Sequence, residues 1–262
     1  MEYRSVLTTC PYCGCGCNMY LQVMDGHLVG TLPSKTHEVA RGSLCIKGWN
    51  AHDWVESPDR LKTPLIRGED GELHPASWDE ALDLIGSRLR AIIDSDGGDA
   101  VGMLSSARCT NEENYLMQKL ARAVVGTNNI DHCARLCHAS TVAGLAGTLG
   151  SGAMTNSTPD IPLADCILVT GSNTVEQHPL IGSRVILAKH RGAKLIVVDP
   201  RETPLSKMAD IWLHQRPGTD VAWLNAMMHV ILREGLEDKE FIASRTEGFP
   251  DLKGILDRYT PQ

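Results

Sequence analysis

Aromatic residues are scarce in this chain and positive charge is in deficit. Phe, Trp and Tyr make up 5% of 262 residues, and the formal net charge at pH 7 is −7. A negative surface has no electrostatic attraction to a phosphate backbone. So few rings also argue against a base-stacking groove. Nucleic acid is therefore not an expected partner. Long hydrophobic runs are missing as well. None approaches the roughly 18 residues that a membrane span needs, so no membrane span is expected. The opening "MEYRSVLTTC" has no basic segment, no apolar segment and no twin arginine. The expected compartment is the cytoplasm. Internal repeats and low-complexity tracts are absent. What remains is an ordinary globular balance, 42% hydrophobic and 22% charged. The length suits one large core or two modest domains.

Cysteine is plentiful, with nine in the chain. In a reducing compartment these thiols suit metals or catalysis better than disulfides. Four of them crowd into "CPYCGCGC", and another follows in "GSLCIKGW". Cys10, Cys13, Cys17 and Cys45 have the spacing C-x2-C-x3-C-x27-C. Such a set can wrap a [4Fe–4S] cluster or a tetrahedral zinc ion, and spacing alone leaves both open. Gly14 and Gly16 allow a tight turn around a metal. Cys15 is the odd thiol of the group.

The first 60 residues read as a small strand-rich unit around this site. Within it, "VMDGHLV" predicts a hairpin turning at Asp25-Gly26. Residues 61–262 then read as an α/β domain. Ser77 with Glu80 predicts a capping box, and Leu82, Ile85, Leu89 and Ile92 follow at helical spacing. "NEENYLMQKLARAVVGTNN" predicts a second helix, with Tyr115, Leu116, Leu120 and Val124 on one side and a stop at Gly126. From Asp165 onward, "CILVTG" and "KLIVVDP" read as buried strands. They alternate with the helical "HPLIGSRVILAKHRGA" and "DVAWLNAMMHVILREG". This pattern predicts a mostly parallel sheet covered on both faces. The expected fold is thus α/β, a small strand-rich metal domain followed by the parallel-sheet domain.

A second thiol site stands in "DHCARLCHAS", with Cys133, Cys137 and His138. A thiolate at a helix N-terminus beside a histidine can act as nucleophile or metal ligand. Plain packing is the competing reading. Cys109 and Cys166 read as structural, with Cys166 in the core of its strand. Ligands of open α/β sheets bind beyond the carboxyl ends of the strands. Those ends carry Gly171 in "LVTGSN", Asp199 in "VVDPR", and Gly218 and Asp220 in "RPGTDVAW". The dinucleotide fingerprint G-x-G-x-x-G is absent, so ordinary turns stay open as the explanation.

Together these stretches resemble the molybdopterin oxidoreductase superfamily, and within it the catalytic subunits of cytoplasmic molybdenum or tungsten formate dehydrogenases. "CPYCGCGC…GSLCIKGW", "SWDEAL", "NEENYLMQKLARAVVGTNNID", "ARLCHAS" and "GAMTNS" carry the likeness. The resemblance implies a [4Fe–4S] cluster on Cys10, Cys13, Cys17 and Cys45, with Lys47 between cluster and pterin. It implies Cys137 as ligand to molybdenum or tungsten, with His138 as the neighbour that marks formate dehydrogenases. It implies a molybdopterin guanine dinucleotide held by Asn173, Glu176, Gln177, Asp199, Arg201, Gly218 and Asp220. The implied reaction is formate to CO2 or the reverse, with electrons passed to partner subunits. The family's catalytic subunits are much longer, so either a second polypeptide completes the pterin site or the chain is a truncated one. Three other readings stay open here. One is a non-catalytic iron–sulfur electron-transfer subunit. Another is a related enzyme such as nitrate reductase, against which His138 counts. The third is a zinc-stapled binding module.

Overall fold

Alternation of polar and apolar residues over the first 33 positions folds as an antiparallel meander. Its strands are β1 (Tyr3–Thr9), β2 (Asn18–Met24) and β3 (His27–Pro33). The β2–β3 turn is the expected Asp25-Gly26, with φ of 48° and 85°. Positive φ at both central residues is the turn whose twist matches a hairpin. In the other hairpin, Thr9 pairs with Asn18, so the whole stretch 10–17 is its loop. A computed structural model describes residues 1–261. They fall into two compact units, Met1–Asp160 and Ile161–Gln262.

The remainder of the first unit begins with the single-turn helix α1 (Ile46–Trp49). Buried Thr31 on β3 holds it, donating to the Gly48 carbonyl at 2.9 Å and sharing the proton with that of Trp49. Thr31→Val keeps the shape and takes the hydroxyl donor from both carbonyls, of which that of Gly48 still accepts from the Ala51 N–H at 3.3 Å. We expect it to cost about 1–3 kcal/mol of stability, read as a lower denaturant midpoint at unchanged m-value.

After the short pair β4 (Leu65–Arg67) and β5 (Leu73–Pro75) comes α2 (Trp78–Asp96). Its capping box is the expected one: the Glu80 N–H donates to Ser77 Oγ at 3.2 Å, and the Ser77 N–H to Glu80 Oε2 at 2.8 Å. Then follow β6 (Met103–Ser105), α3 (Asn111–Lys119), β7 (Ile130–His132), α4 (Ala134–Cys137) and α5 (Ala139–Leu149). Strands β6 and β7 pair in parallel. Beyond α3 the chain widens to i→i+5 bonding, with the Gly126 N–H on the Ala121 carbonyl, and stops at Gly126 with φ 80°.

The apolar stripes of these two helices lie largely open. Leu82 and Ile85 on α2 are 58% and 53% exposed, and Tyr115, Leu116 and Val124 are 60% exposed or more. Among the described residues nothing covers them.

The second unit is a parallel sheet in the order β10–β9–β8, made of β8 (Cys166–Thr170), β9 (Lys194–Val198) and β10 (Ile211–Leu213). Its helices are α6 (Thr174–Gln177), α7 (Pro179–His190), α8 (Pro204–Met208), α9 (Asp220–Arg233), α10 (Lys239–Arg245) and α11 (Phe249–Leu256). Val169, Val185, Leu195, Val197 and Leu205 form the core, flanked by Ile167, Val175 and Met208. Gly182 lets α6 lie against α7, because a Cβ there would stand 2.8 Å from Val175 Cα.

The sheet is not buried on both faces as expected. Leu168 is 40% exposed, and Cys166, read as core, is exposed on β8. Strand alternation aims Cys166 away from the packed face. Cys109 is exposed too, in a loop.

Asp210 ties this sheet together. Its carboxylate accepts from the Leu195 N–H at 2.7 Å and from Lys189 Nζ at 2.6 Å, with Lys194 Nζ 3.9 Å away. The Leu195 N–H and then Lys189 hold its pKa down at about 2, against an ordinary 3.8. Between those values the unfolded chain binds more protons. Stability from this group is therefore complete above the ordinary value and lost as pH falls through the lower one. Asp210→Asn is expected to flatten the stability curve across that acid window, measured as urea midpoint against pH.

Candidate functional site

Three of the four proposed cluster cysteines lie on the loop of the β1–β2 hairpin. The Cys10 N–H donates to the Cys17 carbonyl at 2.8 Å, which closes the loop at its base. Gly16, at φ 67°, makes the tight turn that a residue with a Cβ would resist. The fourth cysteine, Cys45, stands at the N-cap of α1, the helix that Thr31 anchors.

The thiols share one electrostatic neighbourhood. Burial raises the Cys10 pKa, the Cys45 and Cys15 thiols add to the rise, and the Tyr12 N–H and Lys47 ammonium oppose it. Burial, Cys15 and Cys10 likewise raise Cys13. Cys17 is raised further still, first by its hydrogen bond with the Cys15 side chain and then by burial. Crowded thiols that resist ionisation are what a cationic core would relieve, since a coordinating thiol is deprotonated outright. Among the described residues, no three His, Cys, Asp or Glu side chains close around one point as a single metal ion requires. A cube instead takes one thiolate at each iron corner. The loop and the N-cap residue fit that group, and Lys47 stands near enough to Cys10 to act on it.

Cys137 and His138 also belong to the first unit, next to a different sheet. They follow the carboxyl end of β7. Cys137 is the last residue of α4, and His138 joins α4 to α5, its carbonyl accepting from the Val142 N–H at 2.8 Å. The thiol is therefore one residue short of the α5 N-cap, rather than at a helix N-terminus as expected. Cys133, Cys137 and His138 are all exposed. Arg135 pairs with Asp131, one turn back, which fixes the start of α4. The His132 N–H and then Arg135 lower the Asp131 pKa, so this carboxylate stays charged and paired.

The residues expected to hold a pterin all lie in the second unit, on the segments that follow the three strands. Asn173, Glu176 and Gln177 come after β8. Asp199 and Arg201 come after β9. Gly218 and Asp220 come after β10. Register places Thr170 opposite Val198 and Val198 opposite Leu213, so these segments leave one edge of one sheet. The Asn173 carbonyl accepts from the Glu176 and Gln177 N–H groups and starts α6. Buried Asp199 accepts the Arg201 N–H at 2.8 Å, and its carbonyl accepts Trp212 Nε1 at 3.0 Å. Asp220 accepts Trp223 Nε1 at 3.2 Å. Gly171 and Gly218 have φ of 56° and 82°, with open space where a Cβ would stand.

Two acceptors at this edge lack donors. Asn173 Oδ1 and Gln215 Oε1 are buried without a hydrogen-bond partner. Buried polar atoms are nearly always satisfied. The N–H groups of pterin and guanine rings and the hydroxyls of ribose are suitable donors, so the residues present fit such a group. Sequence reasoning passed over Gln215. Its signal was its place just after a strand, which the brevity of β10 concealed.

Comparison with known proteins identifies the family. Residues 60–252 match the family described as molybdopterin oxidoreductase, and residues 3–57 match the molybdopterin oxidoreductase Fe4S4 domain. The F420-dependent formate dehydrogenase 1 subunit alpha of Methanococcus maripaludis is 56% identical over 100% of this chain and 38% of its own length. The F420-dependent formate dehydrogenase subunit alpha of Methanocaldococcus jannaschii is 53% identical, again over 100% and 38%. Formate dehydrogenase H of Escherichia coli is 45% identical over 99% and 37%. Among solved structures, acetylene hydratase from Pelobacter acetylenicus superimposes with a TM-score of 0.74 at 31% identity, covering 97% of this chain and 35% of that one. The chain thus spans about 38% of the length of the curated relatives first named. The matched domains bring a [4Fe–4S] cluster and a molybdopterin bearing molybdenum or tungsten. With a family model matched from residue 60 to 252, beyond half of its length, this chain belongs to the molybdopterin oxidoreductase family.

Proposed function

We propose that the chain is the N-terminal portion of a formate dehydrogenase catalytic subunit, working between formate and CO2. Residues 1–60 form its cluster domain, and 61–262 an α/β molybdopterin-binding region completed by further polypeptide. The observation that carries this reading is the exposed Cys137-His138 pair at the α4–α5 joint, beyond the carboxyl end of β7. An unused site has no need of that pair. Relatives at 45–56% identity carry the name formate dehydrogenase.

When bound, the metal–pterin group supplies two-electron redox chemistry and the cluster supplies one-electron relay. The chain's own residues do the rest. Cys10, Cys13, Cys17 and Cys45 hold the cluster. Cys137 holds the metal. Formate yields CO2 with the release of one proton and two electrons, and the His138 imidazole takes and passes on that proton. The Lys47 ammonium lowers the cost of added negative charge nearby. Asn173, Glu176, Gln177, Asp199, Arg201, Gly218 and Asp220 seat the guanine dinucleotide pterin. Electrons leave to an electron-transfer subunit. Two relatives carry F420 in their names, so an F420-reducing partner is the first to test. No helix of the described chain is long and apolar enough to cross a membrane; the setting proposed is the cytoplasm.

The test is metal analysis of protein purified without oxygen, with a gel run beside it. We expect iron near about four per chain, stoichiometric molybdenum or tungsten, and a companion band. Iron without either metal would instead favour a bare electron-relay role.

A further inference from the structure

The turn that follows β9 is gripped from one side by β10. Trp212 Nε1 donates to the Asp199 carbonyl at 3.0 Å, and the Asp199 N–H donates to the Leu213 carbonyl at 3.2 Å. One residue further along, His214 Nε2 meets the Pro200 carbonyl at 2.5 Å. A carbonyl oxygen only accepts, so that nitrogen carries the proton. The two rings also stack on each other, with centroids 5.4 Å apart and planes 26° from parallel. Alternation along a strand puts residues two apart on one face, which is how these rings meet. Three consecutive residues thus hold two consecutive residues of "VVDPR". His214 is exposed and stands outside the core of its unit, so core packing does not account for it.

We propose that Trp212 and His214 are positioning residues for the pterin seat, their stacked rings holding the Asp199–Arg201 turn in the form that the guanine dinucleotide meets. The inference rests on the cofactor assignment given above. Its physical reason lies in the turn itself. Strand β9 ends at Val198, and past it the Asp199 and Pro200 carbonyls take side-chain donors in place of a strand partner. Pro200 has no N–H to anchor it from the other side. A loop that must order itself on binding weakens the complex by the freedom it loses. Here two rings that fix each other's rotamers order the turn beforehand. Inside the turn the Asp199 carboxylate accepts the Arg201 N–H at 2.8 Å, so residues 199–201 are hydrogen-bonded from without and within. Neither ring is assigned a contact with the cofactor; both act through Asp199 and Pro200.

The experiment follows cofactor retention in the holoprotein, purified without oxygen together with its companion polypeptide. Wild type, His214→Phe and His214→Gln are held in one sub-denaturing urea concentration and desalted at intervals. The pterin kept per chain is counted by the fluorescence of its oxidised form, and far-ultraviolet circular dichroism reads the fold in the same samples. Phenylalanine keeps the stacked ring and removes the donor. His214→Phe should lose pterin about fivefold faster than wild type, the scale of one net hydrogen bond, at unchanged dichroism. Glutamine keeps a donor at similar reach, so His214→Gln should stay within about twofold of wild type. Equal rates in wild type and His214→Phe overturn the inference. So does an equal acceleration in both variants, which would make ring shape the cause. Dichroism lost in step with pterin from His214→Phe overturns it too, since the ring would then serve the fold alone. A wild-type protein that carries no pterin would sink the cofactor assignment itself, a distinct failure that takes the inference with it.

Discussion

Cys137→Ser, in the enzyme assembled with the polypeptide that completes its site, is expected to abolish formate-dependent dye reduction while the iron content holds. Serine keeps the shape and swaps a soft thiolate for a hydroxyl that stays protonated near neutral pH. Altering even the hydrogen-bond partners of a metal ligand costs 10–100-fold, so replacing the ligand should cost at least about 100-fold. The fold has little reason to respond. Cys137 is exposed, and its N–H bonds the Cys133 carbonyl at 3.1 Å whatever the side chain. Lost turnover with an intact cluster signal therefore separates chemistry from unfolding. Unchanged turnover would remove Cys137 from the metal's ligands.

The second large effect is expected from Cys45→Ser. Cys45 is the member of the set that lies outside the hairpin loop, held at the start of α1 by the Thr31 contact to Gly48. Removing its thiolate leaves three ligands on one side of a four-cornered core. We expect the visible absorption and the paramagnetic signal of the reduced cluster to disappear, with iron falling toward zero. The secondary structure should persist in far-ultraviolet circular dichroism, because the second unit's core uses no metal ligand. A variant that keeps about four irons would show that the assigned ligand set is wrong.

Much of this was legible in the sequence because its signals are local. Asp25-Gly26 dictates its turn, Ser77 and Glu80 their capping box, and Gly126 its stop, each through neighbouring atoms. The runs in β8 and β9 are long enough to read as strands. By contrast, β6, β7 and β10 have three residues each, too few for a period to show. Their pairing is long-range, so nothing beside them in sequence announces it. That brevity hid Gln215. The exposure of Cys166 was missed for a related reason, since an apolar run does not reveal which face of its strand will be covered. The candidate site was the most readable part where spacing constrains chemistry, as in the cysteine cluster. It was least readable at the sheet edge, where residues far apart in sequence meet only through register.

The hairpin that carries Cys10, Cys13 and Cys17 also bears on how a cluster would be assembled. Its strands are sequence neighbours, paired from Thr9–Asn18 outward to Tyr3–Met24. Closing such a short loop is fast, about 10–100 ns for ten residues, and hairpins form within about 1–10 μs. Loop-closure entropy grows with length, so Cys45 pays more to arrive and comes only as α1 docks on β3. A chain folding in that order would present the three proposed ligands of the hairpin before Cys45. One corner would then stay open to receive inorganic cargo until the fourth proposed ligand shut it.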